Sequence, residues 1–400
     1  MIPSSHFRAL SRSLAALAAV ATLLTLGAPR PALSQVGRYE VWTIDQADAA
    51  RGGARLYIYD GQRLEAGQAV QPEVVNLDAA AAGVGDGPGV RPHLVELTAD
   101  GRHAIVANVA SGHVYVMRAQ ERRIIASIDI GEQVHHAMAT PDGAFIIAAN
   151  QNGKRLARIR ADFAAERFTY NRAEDLNLGA LEDPAHPDNA PICPVLSGNV
   201  AYVTVRGGGL YVVDYRSTPM RVLRAYSRDQ VGPAGCGGLR SGDKVYINSG
   251  TATSSNLYVF DAATHALVKS INVGWTGWDA HGLVIVGPSD RPFLWMANRA
   301  DGNVVILNVN RDAVVGLIEG VGVGPDLMAL SPSGRRVYLV LRGPNNLTGG
   351  PSARGETPGL AILEVLDSGQ RGRRVGFVPI GDQTAASTVD PHTVAIRPLR

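Results

Sequence analysis

Val134-His135-His136-Ala137-Met138-Ala139-Thr140-Pro141-Asp142-Gly143 places a histidine pair ahead of a short apolar run and a Pro-Asp-Gly turn. Imperfect copies recur along the chain. They begin Pro92-His93-Leu94-Val95, Ile192-Cys193-Pro194-Val195, Gly235-Cys236-Gly237-Gly238, Ala280-His281-Gly282-Leu283, Pro325-Asp326-Leu327-Met328 and Pro391-His392-Thr393-Val394. Taking His93, His136, Cys193, Cys236, His281, Asp326 and His392 as equivalent starts gives a commonest spacing of about 43 residues, the period of a four-stranded propeller blade. Each copy continues with further β-rich runs bounded by Gly, Pro, Asn and Asp, and no stretch shows sustained helical periodicity. The seventh start supplies one strand before the chain ends, while Tyr39 to Ile44, Arg55 to Asp60 and Val74 to Leu77 are three strands without an innermost partner. The fold expected is an all-β, seven-bladed β-propeller in which the C-terminal strand completes the N-terminal blade and removes the open edges.

Composition fits one large domain over residues 36–400: 46% of residues are hydrophobic and 18% charged. Lys and Arg exceed Asp and Glu by two, which leaves no electrostatic footprint for nucleic acid. Residues 1–35 read as a signal peptide, with Arg8 and Arg12 ahead of the apolar run Leu14 to Leu26 and a small-x-small site at Ala32-Leu33-Ser34. That segment, with the Ala, Arg and Gly richness, predicts export to a bacterial periplasm. No later apolar stretch reaches the roughly 18 residues of a membrane span. Cys193 and Cys236 are the only cysteines, and in an oxidising compartment they suit one disulfide or a pair of soft ligands. Without Cys-x-x-Cys-His, no covalent c-type haem is expected.

Blades two and three carry a resemblance. Asp100-Gly101-Arg102 leading to Ile105-Val106-Ala107-Asn108, His113-Val114-Tyr115-Val116 and Ile124 to Gly131 resembles the YVTN-type repeat of exported prokaryotic β-propellers, with Asn108, Asn150, Asn248 and Asn298 at the repeat's Asn and Thr204 to Arg206 departing from it. The resemblance implies the fold from Tyr39 to Arg400; functions within that superfamily range from binding scaffolds to lactonases, haem d1 domains and copper enzymes. The adjacent His135-His136 is similar to the His-His of the copper-binding propeller of nitrous-oxide reductase, although that enzyme's cupredoxin segment and its cysteine ligands have no counterpart here. Tyr39-Glu40-Val41-Trp42-Thr43 followed by Leu56-Tyr57-Ile58-Tyr59-Asp60 is similar to the first blades of the selenium-binding protein and methanethiol oxidase family.

Strand alternation within each blade puts all seven starts at one end of the central channel, together with the long insertions at 45–54, 78–92, 170–192, 251–255 and 344–359. Function concentrates on such elaborated loops. Four of ten histidines occupy these starts. Imidazoles converging on one channel mouth suit a borderline or soft metal, copper first. The candidate ligands are His93, His136, His281 and His392, with His135 as ligand or supporting group and Cys193 and Cys236 as soft ligands or a nearby disulfide. Asp279, Asp326 and Asp390 are placed to orient imidazoles. Such a site would serve oxidoreductase chemistry on a small molecule; the alternatives are a wet, polar channel mouth without an ion, an organic ligand in the same ring, a scaffold for a periplasmic protein or glycan, and a lactonase-like hydrolase. Trp275, Trp278 and His186 read as loop residues, and His103, His113 and His265 as structural. The oligomeric state leaves no mark in the sequence.

Overall fold

The computed structural model describes residues 37–47, 54–84 and 91–399; the signal-peptide segment lies outside the described residues. Gly37 onward forms seven antiparallel sheets, each with its strands in chain order from the innermost outward. Blade 1 is the exception, and it closes the ring: Pro391–Pro398 is its innermost strand, followed by Tyr39–Asp45, Arg55–Asp60 and Glu73–Asn76. Pro398 lies opposite Tyr39 and Ala395 opposite Trp42, so the two ends of the domain are held by a strand pair. Blades 2 to 7 begin with Pro92–Leu97, Val134–Ala139, Pro191–Ser197, Gly238–Ser241, Ala280–Val286 and Pro325–Leu330. Blade 3 has a fifth, two-residue strand, Leu176–Asn177.

Second strands such as His103–Asn108 and Phe293–Asn298 are buried at every residue, because neighbouring blades cover both of their faces. The core accordingly lies between blades. Ile105 and Val116 of blade 2 pack with Ile146 and Ala157 of blade 3, and Trp42 and Ile58 of blade 1 pack with Val106 and Met117 of blade 2. At the closure with blade 7, Tyr39 Oη and Tyr338 Oη are 2.8 Å apart and Tyr39 donates to Glu65. Outer strands such as Arg221–Tyr226 are largely exposed.

Two local expectations need correction. The run read as a strand through Leu77 ends at Asn76, whose side chain caps the helix Leu77–Ala82 by accepting from the amides of Asp78 and Ala79. That helix, with Gly61–Glu65, was hidden by its brevity. Residues 251–255 are not an insertion: Lys244–Thr251 and Ser254–Asp261 are one long hairpin with Thr251 paired to Ser254. Among the described residues no helix is long and apolar enough to cross a membrane.

Candidate metal centre

The start of the innermost strand is irregular in six of the seven blades, and this irregularity builds the centre. In blade 2, Pro92 pairs with Asn108 and Leu94 with Ala107, which leaves His93 as an extra, unpaired residue. Blade 3 repeats this with Val134 and His136 paired and His135 extra. His392 is extra in blade 1, His281 and Gly282 in blade 6, Asp326 and Leu327 in blade 7, and Ile192 and Cys193 in blade 4. A bulged residue is freed from strand alternation and re-aimed. His93, His135, His281, Asp326 and His392 thereby share one layer at the channel mouth.

This corrects the blade 3 start: the counterpart of His93 is His135, not His136. His136 is one step further along the strand, lines the channel interior beside Leu94 and Met138, and has Nε2 3.2 Å from Glu96 Oε1. His135 and His93 meet edge to face at 4.4 Å between centroids, as do His392 and His281 at 5.6 Å, and His93 and His392 meet tilted at 3.9 Å. His281, Asp326 and His392 offer one ligand atom each within 4.8 Å of one another. His281 Nε2 is 3.1 Å from Asp326 Oδ1, and His392 Nε2 is 3.8 Å from Asp326 Oδ2. Asp326, expected to orient a ligand, therefore offers a ligand atom of its own.

A second tier lies over this layer and is formed by residues that directly follow a second strand: Gln46, Arg299 and Arg342. Arg342 is fully buried and joins Asp326 Oδ2 at 2.8 Å to Asp390 at 2.6 and 2.7 Å. Arg299 forks onto Asp279 at 3.0 and 2.9 Å. Asp279 and Asp390 thus hold guanidiniums, where sequence reasoning had them holding imidazoles. The loop after Arg342 closes the tier from outside, with Leu347 N donating to Asp390 and Ser352 Oγ to Asp279. Sequence reasoning missed Gln46, Arg299 and Arg342; extending the repeat alignment one residue past Asn298, and past its counterparts Asp45 and Leu341, would have aligned them.

Gln46 fixes the protonation of His93. Its Nε2 donates to Asp390, so its Oε1 faces His93 Nδ1 at 2.6 Å and must accept from it. The proton on Nδ1 leaves Nε2 as a bare lone pair, and that atom is buried with no hydrogen-bond partner among the described residues. Both nitrogens of His281, Nδ1 of His392 and Oδ1 of Asp326 are likewise buried without a hydrogen bond among the described residues, His281 Nε2 and Asp326 Oδ1 facing each other at 3.1 Å. These side chains are at most 4% exposed, and an unmet buried polar group costs roughly 1–3 kcal/mol. Asp279, Asp326 and Asp390 against Arg299 and Arg342 leave one net negative charge. Lone pairs aimed inward, supporting hydrogen bonds behind them and an excess of negative charge are what a cation needs; the donor set fits a metal.

Burial holds His93, His281 and His392 well below the usual imidazole range, with the Arg342 charge adding to the effect, and pushes His135 down to about 3. In the metal-free protein these rings stay neutral while the unfolded chain protonates them near pH 6.5. Stability should therefore fall as pH drops below about 6.5, by up to ~1.4 kcal/mol per pH unit for each ring. Asp326, raised by burial, works in the opposite sense in more acid solution. Urea unfolding of metal-free protein from pH 7.5 to 5 should show a falling midpoint, with a shallower slope in His392→Gln; a flat profile would contradict neutral burial.

Cys193 and Cys236 are joined in a disulfide between the starts of blades 4 and 5, so the bridged chain offers no thiolate. The remaining described histidines lie outside the centre. His186 contacts Asp183 and the Tyr226 carbonyl, His265 the Tyr202 hydroxyl, His113 the Ser127 hydroxyl and His103 Glu166. Trp275 and Trp278 are 74% and 45% exposed on their loop.

No protein-family model matches the sequence, and no curated protein matches it. Solved structures do match, at low identity. A 6-phosphogluconolactonase candidate from Bacteroides uniformis has TM-score 0.63 at 13% identity, over 90% of this chain and 99% of its own. A protein from Lactobacillus plantarum has 0.61 at 12%, over 91% and 100%. Dihydro-heme d1 dehydrogenase NirN in complex with DHE has 0.55 at 13%, over 89% and 74%. What is shared at this identity is the β-propeller fold.

Proposed function

We propose that this chain is an exported, periplasmic β-propeller that binds one transition-metal ion, copper, at the channel mouth, and that the ion serves oxidoreductase chemistry on a small molecule. The observation that carries the metal reading is the set of buried nitrogen atoms without hydrogen-bond partners on His93, His281 and His392, together with the His281, Asp326 and His392 group whose ligand atoms lie within 4.8 Å of one another. His281, Asp326 and His392 would hold the ion, with His93 Nε2 as a further donor oriented by Gln46. Imidazole and carboxylate donors suit several divalent ions, and copper(II) heads the affinity order for such a set. Bound copper would supply one-electron chemistry.

The protein's own groups set the rest. Arg342 and Arg299 hold the carboxylates and limit the charge of the site. The 344–358 loop is tied across the outer side by hydrogen bonds to Arg342, Asp390 and Asp279, so a small molecule would approach along the channel, past His136 and Glu96. Glu96 beside His136 could accept or return a proton there.

The test is copper loading of the metal-free protein. One copper(II) per chain is expected, with nitrogen hyperfine coupling from imidazoles in its electron paramagnetic resonance spectrum. His281→Ala with His392→Ala should weaken binding by at least ~100-fold, as loss of ligands outweighs the 10–100-fold typical of outer-shell changes. Less than stoichiometric copper in reconstituted wild type would sink the reading.

A further inference from the structure

The disulfide lies beside the metal layer. Cys193 Sγ is 3.7 Å from His135 Nδ1, and Cys193, Cys236 and His135 place one ligand atom each within 4.8 Å of one another. A nitrogen at ~2.05 Å and a sulfur at ~2.3 Å from one tetrahedral ion are ~3.6 Å apart, close to the separation observed. We infer that these three residues form a second metal site, closed while the bridge is intact and opened by its reduction, for a soft thiophilic cation of the Cu(I) class. The site is separate from the one built on His281, Asp326 and His392 and does not depend on it.

Three features support a soft ion. Both cysteines line a channel cavity of about 320 Å³, and the thioethers of Met138 and Met328 line it too. Leu94, Leu283 and Leu327 make the cavity wall around the sulfurs largely apolar, with Glu96 and His136 among its polar members, and the apolar part disfavours a strongly hydrated hard cation. His135 is the bulged residue of its strand, so its ring is aimed by the backbone and not by the sulfur.

The chemistry balances with a small dithiol as reductant. Two exchange steps move two electrons to the bridge; the dithiol becomes a disulfide and Cys193 and Cys236 become thiols. Binding of one Cu(I) then releases two protons as both sulfurs become thiolates.

Cadmium(II) is a convenient probe. Full-length protein reduced with a phosphine and freed of reductant should develop sulfur-to-cadmium charge-transfer absorption that saturates at one equivalent, with two protons released per ion. Oxidised protein should show none. Cys193→Ser should abolish the band, and His135→Ala should keep it while weakening binding at least tenfold. His281→Ala with His392→Ala should leave it unchanged, which separates this site from the copper centre. Near-ultraviolet circular dichroism follows the fold of the reduced protein. Reduced protein that unfolds, or that stays folded without the band, overturns the inference.

Discussion

A chain that stops at Asp390 is expected to yield no soluble propeller. Pro391–Pro398 is paired along Tyr39–Asp45, and its loss would leave that strand with an unpaired inner edge and blade 1 with no wall on the channel. It also carries His392 and buries Val394 and Thr393. Arg397 would go with it, and this residue ties the closure to blade 2 by donating to the Gly101 carbonyl at 2.9 Å and Gln120 at 3.1 Å, and to its own blade by donating to Glu40 at 3.0 Å. Losing an entire inner strand exceeds the ~5–15 kcal/mol that holds a typical domain, and the bared edge is a template for aggregation. Insoluble protein or a loss of cooperative thermal unfolding is the expected outcome. A permuted chain that begins at Asp382 and joins Arg400 to Gly37 supplies the same strand as an ordinary hairpin, because Leu399 N already donates to the Arg38 carbonyl at 2.8 Å. It should fold. If the truncated chain unfolds cooperatively near the wild-type temperature, the closure is dispensable.

The blades were legible because three copies carry the same turn. Thr98 Oγ1 donates to Asp100 at 2.7 Å, Thr140 Oγ1 to Asp142 at 2.6 Å, and the Ser331 and Ser333 hydroxyls meet at 3.0 Å. Counting back five residues from Thr98, Thr140 and Ser331 reaches His93, His135 and Asp326, so the register that selects His135 over His136 was present in the sequence. It was obscured because a bulge breaks alternation without any sequence mark of its own, which leaves two adjacent histidines equally eligible as the strand's start. The tier of Gln46, Arg299 and Arg342 was less legible for another reason. A buried guanidinium is justified only by its partners, and Asp326 and Asp390 are 16 and 48 residues from Arg342. Nor could sequence choose between a bridge and two thiolates at Cys193 and Cys236, since a disulfide and a soft metal site need the same two residues close together.

Arg342→Met should be the most destabilising single substitution near the centre, by ~3–5 kcal/mol in metal-free protein at pH 7. The guanidinium and both of its carboxylate partners are without solvent exposure, and removing one partner of a buried ion pair strands the other. Two carboxylates are stranded here, and Arg342 Nη2 also satisfies the Thr348 carbonyl at 3.0 Å. Lysine keeps the charge but cannot fork onto Asp390 while reaching Asp326, so Arg342→Lys should recover only part of the loss. The sign with pH follows from the carboxylates. Burial already raises Asp326, and without the arginine it would rise further, so protonation removes the stranded charge and the deficit of Arg342→Met should shrink as the pH falls from 7 to 5. Copper should shrink it too, since an ion on Asp326 supplies the missing positive charge. Adding Asp390→Asn to Arg342→Met should restore stability relative to the single variant, a coupling that a double-mutant cycle in urea measures directly. A deficit below ~1 kcal/mol that is insensitive to pH would mean that Asp326 carries no charge in the native protein, and that the charge excess argued for the centre does not exist.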